Sequence, residues 1–274
     1  MEKDLQSAWE EYKKRQRADN LRYIALCMTG VAGFLMIWQL TVMFHLLPVK
    51  NLVTPLEVFR TLIDKIHNPK PEGAVLWVHI MSSMQVALSG FVAAIVVGVP
   101  LGLLMGWYRP VDQFVRPVFE LIRPIPPIAW IPLIILWFGI GLGAKTIIIF
   151  FTSFVPCVIN CYTGVKLTDK TLINVSQTFG ASGTKTFLRV AIPSAMPMAF
   201  AGIRVALGNA WSCLVAAEML AANAGLGYMI TMGRNYSRAD IVIAAMAVIG
   251  ALGALMAGVL GLFEKHVLRW RISR

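Results

Sequence analysis

The sequence predicts an all-α integral membrane protein with six spanning helices, and three observations carry that prediction. Hydrophobic residues make up 57% of the chain and charged residues only 14%, a balance that excludes an ordinary water-soluble domain. The apolar residues gather into runs long enough to cross a bilayer, which takes about 20 helical residues. Lys and Arg fall mainly at the chain ends and between the runs. The net charge of +11 therefore reads as membrane topology and not as a nucleic-acid surface.

Residues 1–22 are polar, of mixed charge and striped for a helix, and are expected in the cytoplasm; the membrane domain follows over 23–274. Tyr23 to Leu47 is too long for a signal-peptide core and no small-residue cleavage site follows, so it reads as an uncleaved first span. His45 is expected at its outer interface. Residues 48–75 carry Pro48, Pro55, Pro69 and Pro71, with one short helix expected over Leu56–Ile66 on the membrane surface. Leu76–Trp107 is the second span. Its Gly98, Gly102 and Gly106 lie four apart, on one helix face, where another helix can approach closely.

Arg109–Arg123 reads as a charged connection into Pro124-Ile-Pro-Pro-Ile-Ala-Trp-Ile-Pro132 and then Leu133–Gly139. Four prolines in nine residues preclude a regular helix. Irregular backbone at membrane depth survives only where protein or a water-filled cavity covers it. Pro126, Pro127 and Trp130 are therefore candidates for a pathway lining, the other reading being a proline-rich entry to the third span. Gly139–Thr146 nearly spells a phosphate-binding loop, but Ala144 stands at a required glycine and no strand precedes it, so ATP binding there is rejected. It reads as a short outer turn. Thr146–Val165 is span four, Met196–Leu220 span five, 221–239 an outer loop, Asp240–Phe263 span six, and Glu264–Arg274 a basic tail.

With both termini inside, 17 Lys and Arg residues fall on the inner side and 7 on the outer, Arg204 lying within span five. That bias supports the orientation. Cys27, Cys157, Cys161 and Cys213 all sit in apolar runs and read as small buried hydrophobes, with no disulfide framework. His45, His67, His79 and His266 are scattered, and neither HExxH nor Gly-x-Ser-x-Gly occurs, so no catalytic or metal-binding constellation is expected. Arg204 has two readings. It snorkels to the inner interface, or it is an electropositive point that lets an anion cross. Glu218, near the outer end of the same span, is expected to pair with a loop cation or to cap a cavity mouth. Trp130, Trp137 and Trp211 read first as packing or interfacial residues.

Between spans four and five lies a more polar run, Lys166 to Ala195. Leu172, Val175 and Phe179 recur at helical spacing, Gly180 permits a turn, and a second short helix is expected to carry Phe187, Leu188 and Val190 until Pro193 stops it or starts the next. Such a helix-turn-helix, outside the membrane and with an exposed apolar stripe, needs a partner to cover it. The run resembles the EAA loop of ABC importer permeases: Glu-Ala-Ala, three residues, Gly, nine residues, then hydrophobic-x-Leu-Pro. Gly180, Val190 and Pro193 fall at the expected offsets, with Ile192 for Leu and Asn174, Val175 and Ser176 for Glu-Ala-Ala. Pro124 to Leu133, Trp137 to Gly141, Gly202 to Gly208, Trp211, Leu214 to Glu218 and Gly225 to Gly227 further resemble the permeases of the nitrate, taurine and alkanesulfonate importer group.

The resemblance covers roughly residues 50–274. It implies the type I ABC importer permease fold, with a coupling loop at about 166–193 in which Asn174, Val175, Gln177, Phe179, Gly180, Ala181, Ser182, Arg189 and Pro193 meet an ATPase. It implies a homodimer, two cytoplasmic ATPase subunits holding ATP and Mg, an extracytoplasmic solute-binding protein, and residence in the bacterial cytoplasmic membrane with both termini inside. No cofactor is expected on this chain, and it is not expected to be an enzyme. Pro126, Pro127, Trp130, Arg204, Trp211 and Glu218 are the candidate pathway set. The expected cargo is a small anion such as taurine, another sulfonate or nitrate. A neutral or cationic vitamin- or pyrimidine-type cargo, a stand-alone membrane enzyme and a passive channel are the rivals.

Overall fold

The computed structural model describes residues 2–44, 52–220 and 222–269; His45 and Leu47 lie outside them. Helices joined by short turns make up the described residues, with no strand among them. The chain divides into two compact units, Met1–Thr61 and Leu62–Arg274.

In the first unit, α1 (Glu2–Met43) is one continuous helix. The polar segment and the first span therefore form a single rod, of which Lys14–Met43 is apolar enough to cross a membrane. The Trp38 indole N–H donates to the Val53 carbonyl at 3.1 Å. The next helix, α2 (Pro55–His67), starts where its sequence says it should. The Glu57 carboxylate accepts from the Thr54 amide at 2.8 Å and the Thr54 hydroxyl from the Glu57 amide at 3.2 Å, with Pro55 in the first turn: a reciprocal cap on two otherwise orphaned donors.

In the second unit, α3 (Leu76–Trp107) coincides with the expected second span. It lies against α6 (Leu142–Lys166), which lies in turn against α9 (Ile192–Leu220), so α6 is the middle of a three-helix layer. Small residues set the spacing. A Cβ built at Gly102 would stand 2.5 Å from the Val158 carbonyl oxygen of α6, so the two backbones are already in contact. Across the other face, Gly202 of α9 lies against Asn160 and the Pro156 carbonyl. Apolar solvent gives helices in lipid no reason to associate, and close backbone approach supplies the dispersion energy instead. Cys157, Cys161 and Cys213 are buried as expected, and Cys27 is exposed. No group of His, Cys, Asp or Glu among the described residues is arranged to hold a metal.

Two expected loops are helices. Residues 109–123, expected as a charged connection, form α4 (Arg109–Ile122). Pro110 sits in its first turn, where no amide bond is lost, and Phe114, Val118 and Leu121 line one exposed face. A 3-10 turn (Pro127–Trp130) leads from it to α5 (Ile131–Phe138), and the two arms meet at 80°. Among the described residues five helices are long and apolar enough to cross a membrane, and the count is six if this bent pair is one crossing. Part of the expected outer loop 221–239 is likewise helical: α10 (Leu226–Asn235) buries Leu226, Met229 and Gly233 against α9 and α11 (Ala239–Val267). The Trp211 indole N–H of α9 donates to the Ile249 carbonyl of α11 at 3.1 Å.

Candidate functional site

The hairpin between α6 and α9 is built from two capped helices and one left-handed residue. Its first arm, α7 (Lys170–Thr178), begins at Asp169, whose side chain accepts from the Thr171 amide at 2.8 Å. The amide and hydroxyl of Thr171 hold the Asp169 carboxyl below the usual carboxylate range, because both bonds favour its charged form. The arm ends in a Schellman turn. The Ala181 amide donates to the Ser176 carbonyl at 3.1 Å and the Gly180 amide to that of Gln177 at 2.9 Å. The turn requires positive φ at Gly180, which is +75°, and glycine adopts it without a Cβ clash.

Ser182 caps the second arm, α8 (Gly183–Thr186), and a π turn (Phe187–Ala191) continues it into α9. Pro193 therefore falls just inside α9, and Gly183–Leu220 is one stretch of 38 residues. Two contacts fix the hairpin. Ser176 and Thr186 hydroxyls are 2.9 Å apart, and buried Phe187 packs between Trp107 and Tyr108, its ring centroid 5.6 Å from each of theirs. The outer face is left uncovered: Leu172, Val175 and Leu188 are about half exposed, and Phe179 is 86% exposed. Asn174, Gln177, Ser182 and Arg189 are exposed beside them, while Ala181 and Pro193 are partly covered. This is an apolar knob on a rigid mount.

The candidate pathway residues are not one cluster. Pro126 is exposed and Pro127 and Trp130 are half-buried, Trp130 stacking on Phe151 at 6.0 Å between centroids. Trp137 is exposed, and Trp211 is committed to Ile249. Arg204 forms an ion pair with Glu264 at the end of α11, a partner that neither sequence reading named.

Glu218 feels the charge of Lys145, a cation of the expected outer turn, but its hydrogen bonds come from elsewhere. It is 1% exposed and accepts from the Ser83 hydroxyl at 2.8 and 2.9 Å and from the Gly227 amide at 2.9 Å. Beside it the Leu226 amide donates to Ser83 Oγ at 2.9 Å and the Gly225 amide to His79 Nδ1 at 3.1 Å. His79, expected near a span end, is fully buried. Sequence reasoning missed Ser83 and His79, since neither stands in a motif.

Several membrane crossings and an exposed apolar knob at one end define a multi-span membrane protein. The comparisons agree. Residues 98–269 match the family model "Binding-protein-dependent transport system inner membrane component". A putative ABC transporter permease protein of Methanocaldococcus jannaschii is 39% identical, over 92% of this chain and 94% of that protein. The taurine transport system permease protein TauC of Escherichia coli is 32% identical, over 91% and 90%. An inward-facing structure of the MetNI methionine ABC transporter superposes with a TM-score of 0.56 at 19% identity, over 73% of this chain and 98% of that one. The chain belongs to the binding-protein-dependent permease family and is the membrane-spanning permease subunit of an ABC importer.

Proposed function

We propose that this permease carries a small anion, of the sulfonate type, from an extracytoplasmic binding protein to the cytoplasm, and that two ATPase subunits drive it through the hairpin at 166–193. The hairpin and both termini lie in the cytoplasm, two copies of the chain face each other, and ATP with Mg is held by the ATPases. One observation carries the reading: a phenylalanine 86% exposed at the tip of a doubly capped hairpin. An exposed aromatic on a rigid turn costs solvation until a partner's cleft covers it. Asn174, Val175, Gln177, Gly180, Ala181, Ser182, Arg189 and Pro193 shape that contact around it.

The anion rests on the exposed guanidinium of Arg204 and on the 32% identity to a taurine permease. Pro126, Pro127, Trp130, Trp211 and Glu218 are the other residues assigned to the pathway or its support. A neutral cargo is the second reading, because Glu264 already balances Arg204.

Co-purification from membranes with the cognate ATPase tests the docking. Phe179→Asp should reduce the captured ATPase at least about tenfold while the permease accumulates normally. Full capture by a Leu172→Asp, Val175→Asp, Phe179→Asp triple variant would refute it. Binding-protein titrations with taurine, nitrate and a pyrimidine separate the cargoes, and tight binding of the pyrimidine alone rules out the anion.

A further inference from the structure

A buried carboxylate is an expensive feature in a membrane helix even with the charge of buried Lys145 acting on it, and Glu218 has a use that the docking reading does not supply. The chain leaves α9 at Leu220 and then doubles back. Gly227 lies against the Val215 carbonyl and Glu218 Cβ, and the Thr231 hydroxyl reaches the Met219 carbonyl at 3.3 Å. The first turn of α10 is therefore level with Val215 and Glu218, inside the bundle rather than beyond its end. There its amides would be orphans, since Gly225 at its start provides no side-chain cap.

The caps come from two other helices. Glu218 of α9 takes the Gly227 amide, Ser83 of α3 takes that of Leu226, and His79 of α3 takes that of Gly225. A carboxylate at the positive end of a helix is also favoured by the peptide dipoles. The fit leaves no slack. A Cβ at Gly225, where φ is +131°, would collide with the Glu218 carboxyl group, and one at Gly227 would stand 2.7 Å from Glu218 Cβ. The strings Leu214–Glu218 and Gly225–Gly227 are thus two halves of one joint. Its other side faces the hairpin along a single helix, because Gly183–Leu220 is continuous from the second arm of the hairpin to Glu218, roughly 55 Å at the rise of a helix.

We infer that Glu218 is a positioning residue for transport: it latches α10 to the far end of the hairpin's own helix, so that a displacement of the hairpin moves α10 with α3 and α9 as one body at the opposite mouth. The inference rests on the docking reading for its driving force, but the latch itself is tested separately.

The first arm is hydrogen exchange on the full-length chain in lipid nanodiscs. Glu218→Ala should raise exchange of the 226–235 amides at least about tenfold while those of α7 keep their wild-type rates. The second arm uses the assembled transporter. Glu218→Ala should still capture the ATPase, yet ATP-driven uptake should fall at least about tenfold. Glu218→Gln keeps an acceptor for the Gly227 amide and should restore uptake to within about threefold of wild type. Where Glu218→Ala does not accumulate, Ser83→Ala carries both arms, with the same direction of change. Unchanged α10 exchange, a loss of protection shared equally by α7, or uptake within about twofold of wild type overturns the latch. Should Phe179→Asp retain the ATPase, the docking reading fails alone, because the exchange arm reports on the latch without any partner.

Discussion

At the hairpin end of the helix running to Leu220, apolar side chains face outward and polar ones hold the frame: Phe179 and Leu188 are exposed, while Thr186 is buried and meets Ser176. At the other end a carboxylate faces inward, and apolar Leu226 and Met229 pack around the turn that meets it. Each end inverts the usual rule of apolar inside and charged outside. The two inversions differ in cost. Exposed apolar area is satisfied by a partner that binds, and it barely affects the fold meanwhile. A buried carboxylate must be satisfied within the chain from the moment of folding, since losing its donors costs the full desolvation of the charge. The hairpin end should therefore tolerate substitution in stability and fail in assembly, and the α10 end should do the reverse.

The sharpest test is Gly227→Val. Its branched side chain must enter space where a Cβ alone is 2.5 Å from the Val215 carbonyl oxygen, so destabilisation of about 3 kcal/mol is expected in thermal unfolding of the purified chain. A loss below about 1 kcal/mol would show that α10 is free to move away. Trp211→Phe comes next. It removes the indole donor to Ile249 beside Gly253 and should cost about 1 kcal/mol, with α11 exchange rising first. Arg204→Gln breaks the ion pair with Glu264. With 61% of the Arg204 side chain exposed, the stability change should stay under about 1 kcal/mol. Uptake of an anionic cargo should drop in the same variant while uptake of a neutral one does not.

Phe179→Ser should change unfolding by less than about 0.5 kcal/mol, although ATPase capture is expected to fall. A large stability loss there would erase the contrast between the two ends. The smallest effect is on pH. The folded value of Asp169 is depressed by Thr171, so its cap contributes at pH above the ordinary aspartate range, about 4. That contribution is lost as pH falls through the lower folded value. Protection of the α7 amides should thus be flat from about pH 5 to 8 and decline only in acid, and Asp169→Asn should weaken that decline.

Much of this was legible along the chain. Apolar runs marked the ends of α3 closely, and glycines four apart marked its contact face, because a helix projects such residues onto one line. The hairpin was legible because its turn needs glycine at one position and its arms repeat apolar residues locally. α4 was hidden by its charges, although Phe114, Val118 and Leu121 already held helical spacing. α10 was hidden by Gly225, Gly227 and Gly233, which read as loop residues when their neighbours in space are not known. Arg204 and Glu218 were picked out as costly residues in a span, but the sequence did not name the groups that bond to them. Glu264 is 60 residues from Arg204, and Ser83 is 135 residues from Glu218.

The sequence by itself determined the elements whose energetics are local or set by the solvent. These are the apolar spans that lipid demands, the glycine-dependent turn at Gly180, and the placing of basic residues at the chain ends and between the apolar runs. Only the tertiary structure decided which helices share the glycine faces, that α10 starts inside the bundle, and that a serine from α3 completes a carboxylate from α9. Those pairings depend on distances between helices, and nothing in a residue's own neighbourhood records which remote donor will stand within 3 Å of it when the helices pack.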